Sequence, residues 1–242
     1  MDRRATGAPN LPAGGVPPGA ARISIIVPTY DEAAVIGALL AQLATLRRRG
    51  HEVIVVDGGS EDGTVQIAAA DADHIVSAPR GRARQMNAGA AVARGEVLWF
   101  VHADSLIPSD ADGLIADAVR TARWGWFDVR LSGAHPLLRV VEWMMNQRAR
   151  RTCIATGDQA LFVTRDLFRA LGGFADLELM EDVQLTTRLK GHSPPAVVAT
   201  PLVTSSRRWE RNGILRTIAL MWRLRLAYAL GAHPSALARR YR

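Results

Sequence analysis

The sequence predicts an α/β protein whose mostly parallel sheet carries helices on both faces. Three observations lead there. Short β-branched apolar runs alternate with helical patterns over the first hundred residues, which is the order of a parallel sheet with crossover helices. Each run stops in polar residues, as strands do where such sheets bind ligands. Hydrophobic residues make up 48% and charged residues 22% of 242, enough to bury one large core.

Residues 23–27 are a buried strand that Pro28 is expected to end. Val35, Ile36, Leu39, Leu40, Leu43 and Leu46 recur at helical spacing, and Arg47-Arg48-Arg49-Gly50 closes that helix. Residues 53–56 form the second strand, closed by Asp57-Gly58-Gly59-Ser60. A helix over 64–70, a strand beginning at Ile75-Val76, a helix over 82–93 and a strand over 97–101 follow. The second half is less regular. It reads as a strand over 124–131, a helix over 137–150, a strand over 161–163, a helix over 182–189, an extended 195–203 and a basic amphipathic helix over 214–230. Residues 1–22, with four prolines and four glycines, read as a flexible tail; Arg3-Arg4 precedes no apolar segment and is not read as an export signal.

Net charge is +7, carried by arginine, with Lys190 the only lysine. That excludes a phosphate-cradling loop ending in Lys-Ser or Lys-Thr. The arginines are scattered and no recognised module is present, so nucleic acid is not an expected partner. The single cysteine, Cys153, excludes an internal disulfide, fits a reducing cytoplasm and reads as a small buried side chain. The uncharged run 33–46 is too short to span a bilayer, so a cytoplasmic protein is expected. Helix 214–230 admits peripheral contact with the inner membrane face, packing on its own domain, or a dimer contact.

Three strand ends carry carboxylates: Glu32, Asp57 and Asp104. They would repel unless a metal or polar ligand sat among them. His102 and Asp104, two apart on extended backbone, point to one side. Simpler readings stand beside these: Asp57 as a turn residue, His102 satisfied by backbone, and Glu181-Asp182 as ordinary carboxylates at a helix N-terminus.

Ile23-Ser-Ile-Ile-Val-Pro-Thr-Tyr-Asp-Glu32, Val55-Val-Asp-Gly-Gly-Ser-Glu-Asp-Gly-Thr64, the strand-end Asp104 and Glu181-Asp182, in that order, closely resemble a family-2 glycosyltransferase with the GT-A, Rossmann-like fold. Pro79-Arg-Gly-Arg-Ala-Arg-Gln-Met-Asn87 and Ser205-Ser-Arg-Arg-Trp-Glu210 resemble a bacterial subgroup, the arsenosugar-biosynthesis or radical-SAM/selenodomain-associated transferases. The resemblance implies inverting transfer of a sugar from a nucleotide-diphosphate donor, UDP-sugars favoured, to a hydroxyl acceptor that the sequence does not name. It implies a glycosyltransferase domain over 23–210, split into a nucleotide half (23–105) and an acceptor half (106–210), with a basic helix and tail over 211–242.

Pro28, Thr29, Tyr30 and Glu32 would line base and ribose, and Asp57, followed by Gly58, would accept a ring N–H. Of Arg80, Arg82 and Arg84, the last is the preferred diphosphate ligand. His102-Ala103-Asp104 stands where the family usually carries Asp-x-Asp. Asp104 would bind Mn²⁺ or Mg²⁺, with His102 on the ribose or the metal's water shell; an imidazole there suits Mn²⁺ better. Asp182 would be the general base and Glu181 would orient it or the acceptor. Asp158 would lie near the donor sugar or acceptor, Arg208 would clamp a phosphate and Trp209 would stack on a sugar. Ser205 replaces the glutamine of the Gln-x-x-Arg-Trp motif of processive relatives, so processive synthesis is not expected. The alternative is a nucleotide-sugar-binding or membrane-surface protein with weakened catalysis on the same fold.

Overall fold

The structure, a computed structural model, describes residues 21–241. The tail expected over 1–22 therefore lies, up to residue 20, outside the described residues. The first half runs β1 (Ile23–Thr29), α1 (Ala33–Arg48), β2 (Glu52–Asp57), α2 (Thr64–Ala68), β3 (His74–Ser77), α3 (Arg82–Val92) and β4 (Val97–Phe100). There follow α4 (Ala111–Val119), β5 (Trp124–Leu131), α5 (Pro136–Thr152), a 3₁₀ turn (Gly157–Gln159) and β6 (Phe162–Thr164). The chain continues through α6 (Arg165–Ala170), α7 (Glu181–Lys190), β7 (Ala196–Thr204), α8 (Arg207–Asn212), α9 (Ile214–Ala229) and α10 (Pro234–Tyr241).

Seven strands form one sheet in the order β3-β2-β1-β4-β6-β5-β7. β1 pairs in parallel with β2 and β4, and β5 with β7; only β6 runs antiparallel, between β4 and β5. Successive side chains of a strand face opposite sides, so β1 sends Ile23, Ile25 and Val27 into one core with α1 and Ile115 of α4. Its Ile26 joins the other, with Met86 of α3 and Leu185 of α7. Both faces are covered, which is why these strands read as unbroken apolar runs.

Pro28 does not end β1, which continues to Thr29 opposite Asp57. Ile26 O accepts Val101 N–H at 3.0 Å, so Ile26, and Pro28 two residues on, turn their backbone groups toward β4. β4 has ended by then, at Phe100, so the N–H that proline lacks has no strand partner to miss. Val101, expected in β4, already lies beyond it. Four helices were not anticipated: α4, α6, α8 and α10. The six-residue α6 and α8 are too short for periodicity to register. In α4, Ala111, Leu114, Ile115 and Ala118 do carry the i, i+3, i+4, i+7 pattern. Cys153 is not a buried core side chain: it is half-buried at φ 53°, in the left-handed conformation that closes α5.

The strand order reverses between β1 and β4, since β2 lies on one side of β1 and β4 on the other. A crevice opens at such a point, beyond the carboxyl ends of the strands.

Candidate active site

A polar cavity of about 720 Å³ fills that crevice. Pro28, Thr29, Tyr30 and Glu32 line it from the end of β1, and His102, Ala103 and Asp104 from the end of β4. Arg80, Arg82 and Arg84 enter at the start of α3, and Arg207, Arg208 and Trp209 from α8. Asp158 of the 3₁₀ turn lines it too. Residues far apart in the chain thus converge because four elements end there.

Asp57 and Gly58 are not part of this lining. Asp57 Oδ2 accepts N–H from Gly59 and Ser60 at 2.9 Å, and Oδ1 accepts the Ser60 hydroxyl at 2.5 Å and the Thr29 hydroxyl at 3.3 Å. Burial opposes ionisation of Asp57, but these donors, Ser60 foremost, outweigh it and hold the carboxyl below its ordinary range. The Gly58 Cα faces the Gln85 amide closely enough that a Cβ would lie 3.1 Å from Nε2; that amide donates to Thr29 O and Val56 O. Locally, Asp57 is a turn-organising residue.

Arg84 is exposed and paired with Asp176 at 2.7 Å. Arg82, exposed as well, lines both the polar cavity and a second one described below, with no hydrogen bond or ion pair to a described residue. Burial would lower its pKa, but Tyr241, Glu181, Asp158 and Asp182 together raise it. The sequence signal, three arginines before a helix, was present; choosing among them needed the helix's rotation. Arg80 lies over the Tyr30 ring at 3.8 Å.

Asp104 and Glu32 share Arg207, whose Nη2 is 3.6 Å from one and 3.9 Å from the other. Burial first, then the Asp104 charge, raise the Glu32 pKa. His102 Nδ1 is 3.5 Å from Asp158 Oδ1. Burial works against the Asp158 carboxylate, yet His102, Arg82 and Arg148 keep it below its ordinary range. Gly157 gives the imidazole its room: a Cβ there would lie 2.8 Å from His102 Nε2. Arg208 is held by α10, donating to Tyr241 O at 2.5 Å with its guanidinium 3.5 Å from the Tyr241 ring centre.

Beyond Asp158 lies the second cavity, also about 720 Å³ and more apolar. Arg82, Asp158, Trp209 and Tyr241 line both cavities, so the two meet at these side chains. Glu181 and Asp182, first residues of α7, sit in its wall. Asp182 Oδ2 accepts Gly157 N–H at 2.7 Å and Oδ1 accepts Val183 N–H at 2.6 Å. Glu181 is buried, and burial, then the Asp182 charge, push its pKa up to about 7. Arg148 and Arg225 complete the polar part. Burial and then Arg225 push Arg148 down to about 9. Arg148, Arg225 and Tyr241 were not anticipated as site residues, since isolated in sequence they carry no motif; Arg82 and Arg207 lie in motifs where Arg84 and Arg208 were the expected phosphate ligands.

A sheet of this order is shared with solved glycosyltransferase structures. Residues 24–129 match the family described as glycosyl transferase family 2. The chain is 26% identical over 242 residues to a beta-monoglucosyldiacylglycerol synthase of Synechocystis sp., covering 89% of this chain and 49% of that protein. The chain thus spans about half the length of that curated relative. Among solved structures it is similar to a mannosyltransferase from Pyrobaculum calidifontis in complex with GDP-Man and Mn²⁺, with TM-score 0.58 and 26% identity over 86% of this chain and 61% of that one. Glucosyl-3-phosphoglycerate synthase from Mycobacterium tuberculosis shares the fold at TM-score 0.61 and 18% identity, over 95% and 86% of the two chains. These likenesses reach the glycosyl transferase family 2 description and do not extend to the arsenosugar subgroup.

Proposed function

We propose that this protein is an inverting glycosyltransferase that moves a sugar from a nucleotide-diphosphate donor, a UDP-sugar by preference, to a hydroxyl acceptor. The observation that carries the reading is the meeting of two cavities at one set of side chains. One is polar and rich in arginine, at the carboxyl ends of β1 and β4; the other holds the Glu181-Asp182 pair. Donor and acceptor would enter from opposite sides, the donor on the 23–105 half and the acceptor on the 106–210 half.

In this mechanism the nucleotide lies along Pro28, Thr29, Tyr30 and Glu32, and Asp57, whose oxygens are taken by Thr29, Gly59 and Ser60, acts indirectly by shaping the turn beside Thr29. Arg82 faces the diphosphate and Arg84 supports it from the rim, since guanidinium forks suit phosphate oxygens. His102 and Asp158 hold the sugar or ribose hydroxyls. Asp182 takes the proton as the acceptor oxygen attacks the anomeric carbon. The bond from that carbon to the diphosphate oxygen breaks, and the diphosphate leaves with the electron pair, inverting the centre. Arg208 and Trp209 close the cavity over phosphate and sugar.

The described residues include no group of three His, Cys, Asp or Glu that could hold a metal. A cation on a diphosphate does not require one: it takes one or two carboxylates and completes its shell with phosphate and water oxygens. Asp104, with Glu32 across Arg207 and His102 nearby, fits that donor set for Mn²⁺ or Mg²⁺. Bound there, the cation would neutralise charge building on the leaving diphosphate.

Calorimetric titration of UDP and of GDP, with Mn²⁺, with Mg²⁺ and with chelator, tests the donor site. Metal-dependent binding of UDP, weakened at least about tenfold in Asp104→Ala, is expected, about 1.4 kcal/mol or more. Failure of both nucleotides to bind under every condition would sink the reading in favour of the membrane-surface alternative. A second expectation concerns Gly157. The alanine Cβ must displace the His102 ring, so Gly157→Ala should lower kcat/KM roughly ten- to hundredfold, with little change in melting temperature. Steady-state transfer assays beside thermal melts check this; an unchanged kcat/KM would remove His102 from the mechanism.

A further inference from the structure

The second cavity is built for more than a sugar hydroxyl. Its far wall is α5 and α9, which present Met144, Met145, Ile218 and Met221 to the interior. Its rim carries Trp143 of α5 and Trp222 and Leu226 of α9, exposed by 59%, 66% and 62%. These rim residues do not stand alone. Leu215, Trp222, Leu226 and Leu230 fall on one face at spacings of seven, four and four, which is one stripe of a helix. The opposite face of α9 is occupied, packing through Leu220, Leu224 and Ala227 onto the body of the protein. Arg216 and Arg223 flank the stripe on one side and Arg225 on the other, the pattern of a helix lying in a membrane interface.

Charge points the same way. Arg148 and Arg225 line the cavity, half-buried, and neither forms an ion pair with a described carboxylate. Arg148 Nε is buried with no hydrogen-bond partner, and its Nη2 reaches only Gln159 Oε1, at 3.5 Å. Burial and the Arg225 charge disfavour the Arg148 cation, and Asp182 and Asp158 offset this only in part, so an anion between the two arginines would relieve both. An apolar channel, a cationic pair partway along it and a carboxylate pair at its inner end together describe an anionic amphiphile.

We propose that the acceptor is an anionic lipid taken from a membrane surface. Its chain lies between α5 and α9, its charged group meets Arg148 and Arg225, and its hydroxyl reaches Asp182. This rests on the glycosyltransferase reading above and names its acceptor class. The exposed stripe of α9 seats the protein on the bilayer so that the lipid enters without crossing water.

The test is sedimentation of the full chain with vesicles of phosphatidylcholine, alone or mixed with phosphatidylglycerol, alongside UDP–Mn²⁺ calorimetry on the same samples. Partition onto the mixed vesicles should exceed that onto phosphatidylcholine by roughly tenfold or more. Trp143→Ala with Trp222→Ala should weaken it about tenfold on both vesicle types. Arg148→Gln with Arg225→Gln should abolish the preference for the anionic lipid. Leu226→Glu, on the exposed stripe, is the companion variant should either pair fail to fold, and should release the protein from both vesicles while UDP binding persists. Normal UDP binding with no partition onto either vesicle, or partition that none of these variants reduces, overturns the lipid acceptor and leaves the donor reading standing. Loss of UDP binding by the unaltered protein overturns the transferase reading, and the lipid acceptor with it.

Discussion

Asp182→Asn is expected to lower kcat by about 10²- to 10⁴-fold, the usual worth of a positioned general base. The geometry makes the test sharper than for an ordinary carboxylate. Each Asp182 oxygen already accepts one backbone N–H, from Gly157 and from Val183, leaving one lone pair on each for an acceptor proton. Asparagine keeps a single oxygen and turns an NH₂ group toward one of those N–H donors, so a local rearrangement accompanies the lost base. Donor binding separates the two effects. UDP affinity should change by less than about threefold, a few tenths of a kcal/mol, if catalysis alone suffers. A normal turnover number in this variant would exclude Asp182 as the base.

Glu181→Gln is expected to make the fold more resistant to alkaline pH. Burial and the neighbouring Asp182 raise the Glu181 pKa from 4.5 to about 7, so the folded chain keeps this proton to higher pH than the unfolded chain. The stabilisation is fully present below the unfolded value near 4.5 and is lost as pH rises through about 7. At about 1.4 kcal/mol per unit, ionising this one group costs the native state on the order of 3 kcal/mol by pH 8. Glutamine cannot ionise, so the urea midpoints of wild type and variant should coincide below about pH 4.5, diverge as pH rises to about 7 and stay apart above it, the variant being more stable. Parallel pH curves for the two proteins would show that Glu181 does not titrate in this range. A buried carboxylate of this kind, costly to the fold, is what proton transfer near neutrality uses.

Legibility varied by the kind of evidence each element left in the chain. β1, β2 and β4 are buried on both faces, so their apolar runs stood out, and the polar residues after them marked the crevice in advance. The family resemblance reached the right fold from four short motifs. Asp104, Asp158, Arg208 and Trp209 do line the polar cavity. Asp57 and Arg84 show the limit of such reasoning. The motif names the residue, but whether its side chain faces a cavity, a turn or a surface partner depends on neighbours that no local pattern records. Pro28 taught a related lesson: a proline ends a strand only where its missing N–H had a partner.

What the sequence determined by itself is therefore the α/β architecture, the order of its first four strands and the place where they end in carboxylates. All of these follow from the periodicity of burial and from residues adjacent in the chain. The tertiary structure alone decided that β6 runs antiparallel between β4 and β5, and that Arg82 rather than Arg84 faces both cavities. It alone brought Arg148, Arg225 and Tyr241 to the site and left the α9 stripe uncovered. The reason is physical: a residue from α5 meets one from α9 because two helices pack at a particular angle. That angle is set by side chains across the whole interface, so it appears in no short stretch of the chain.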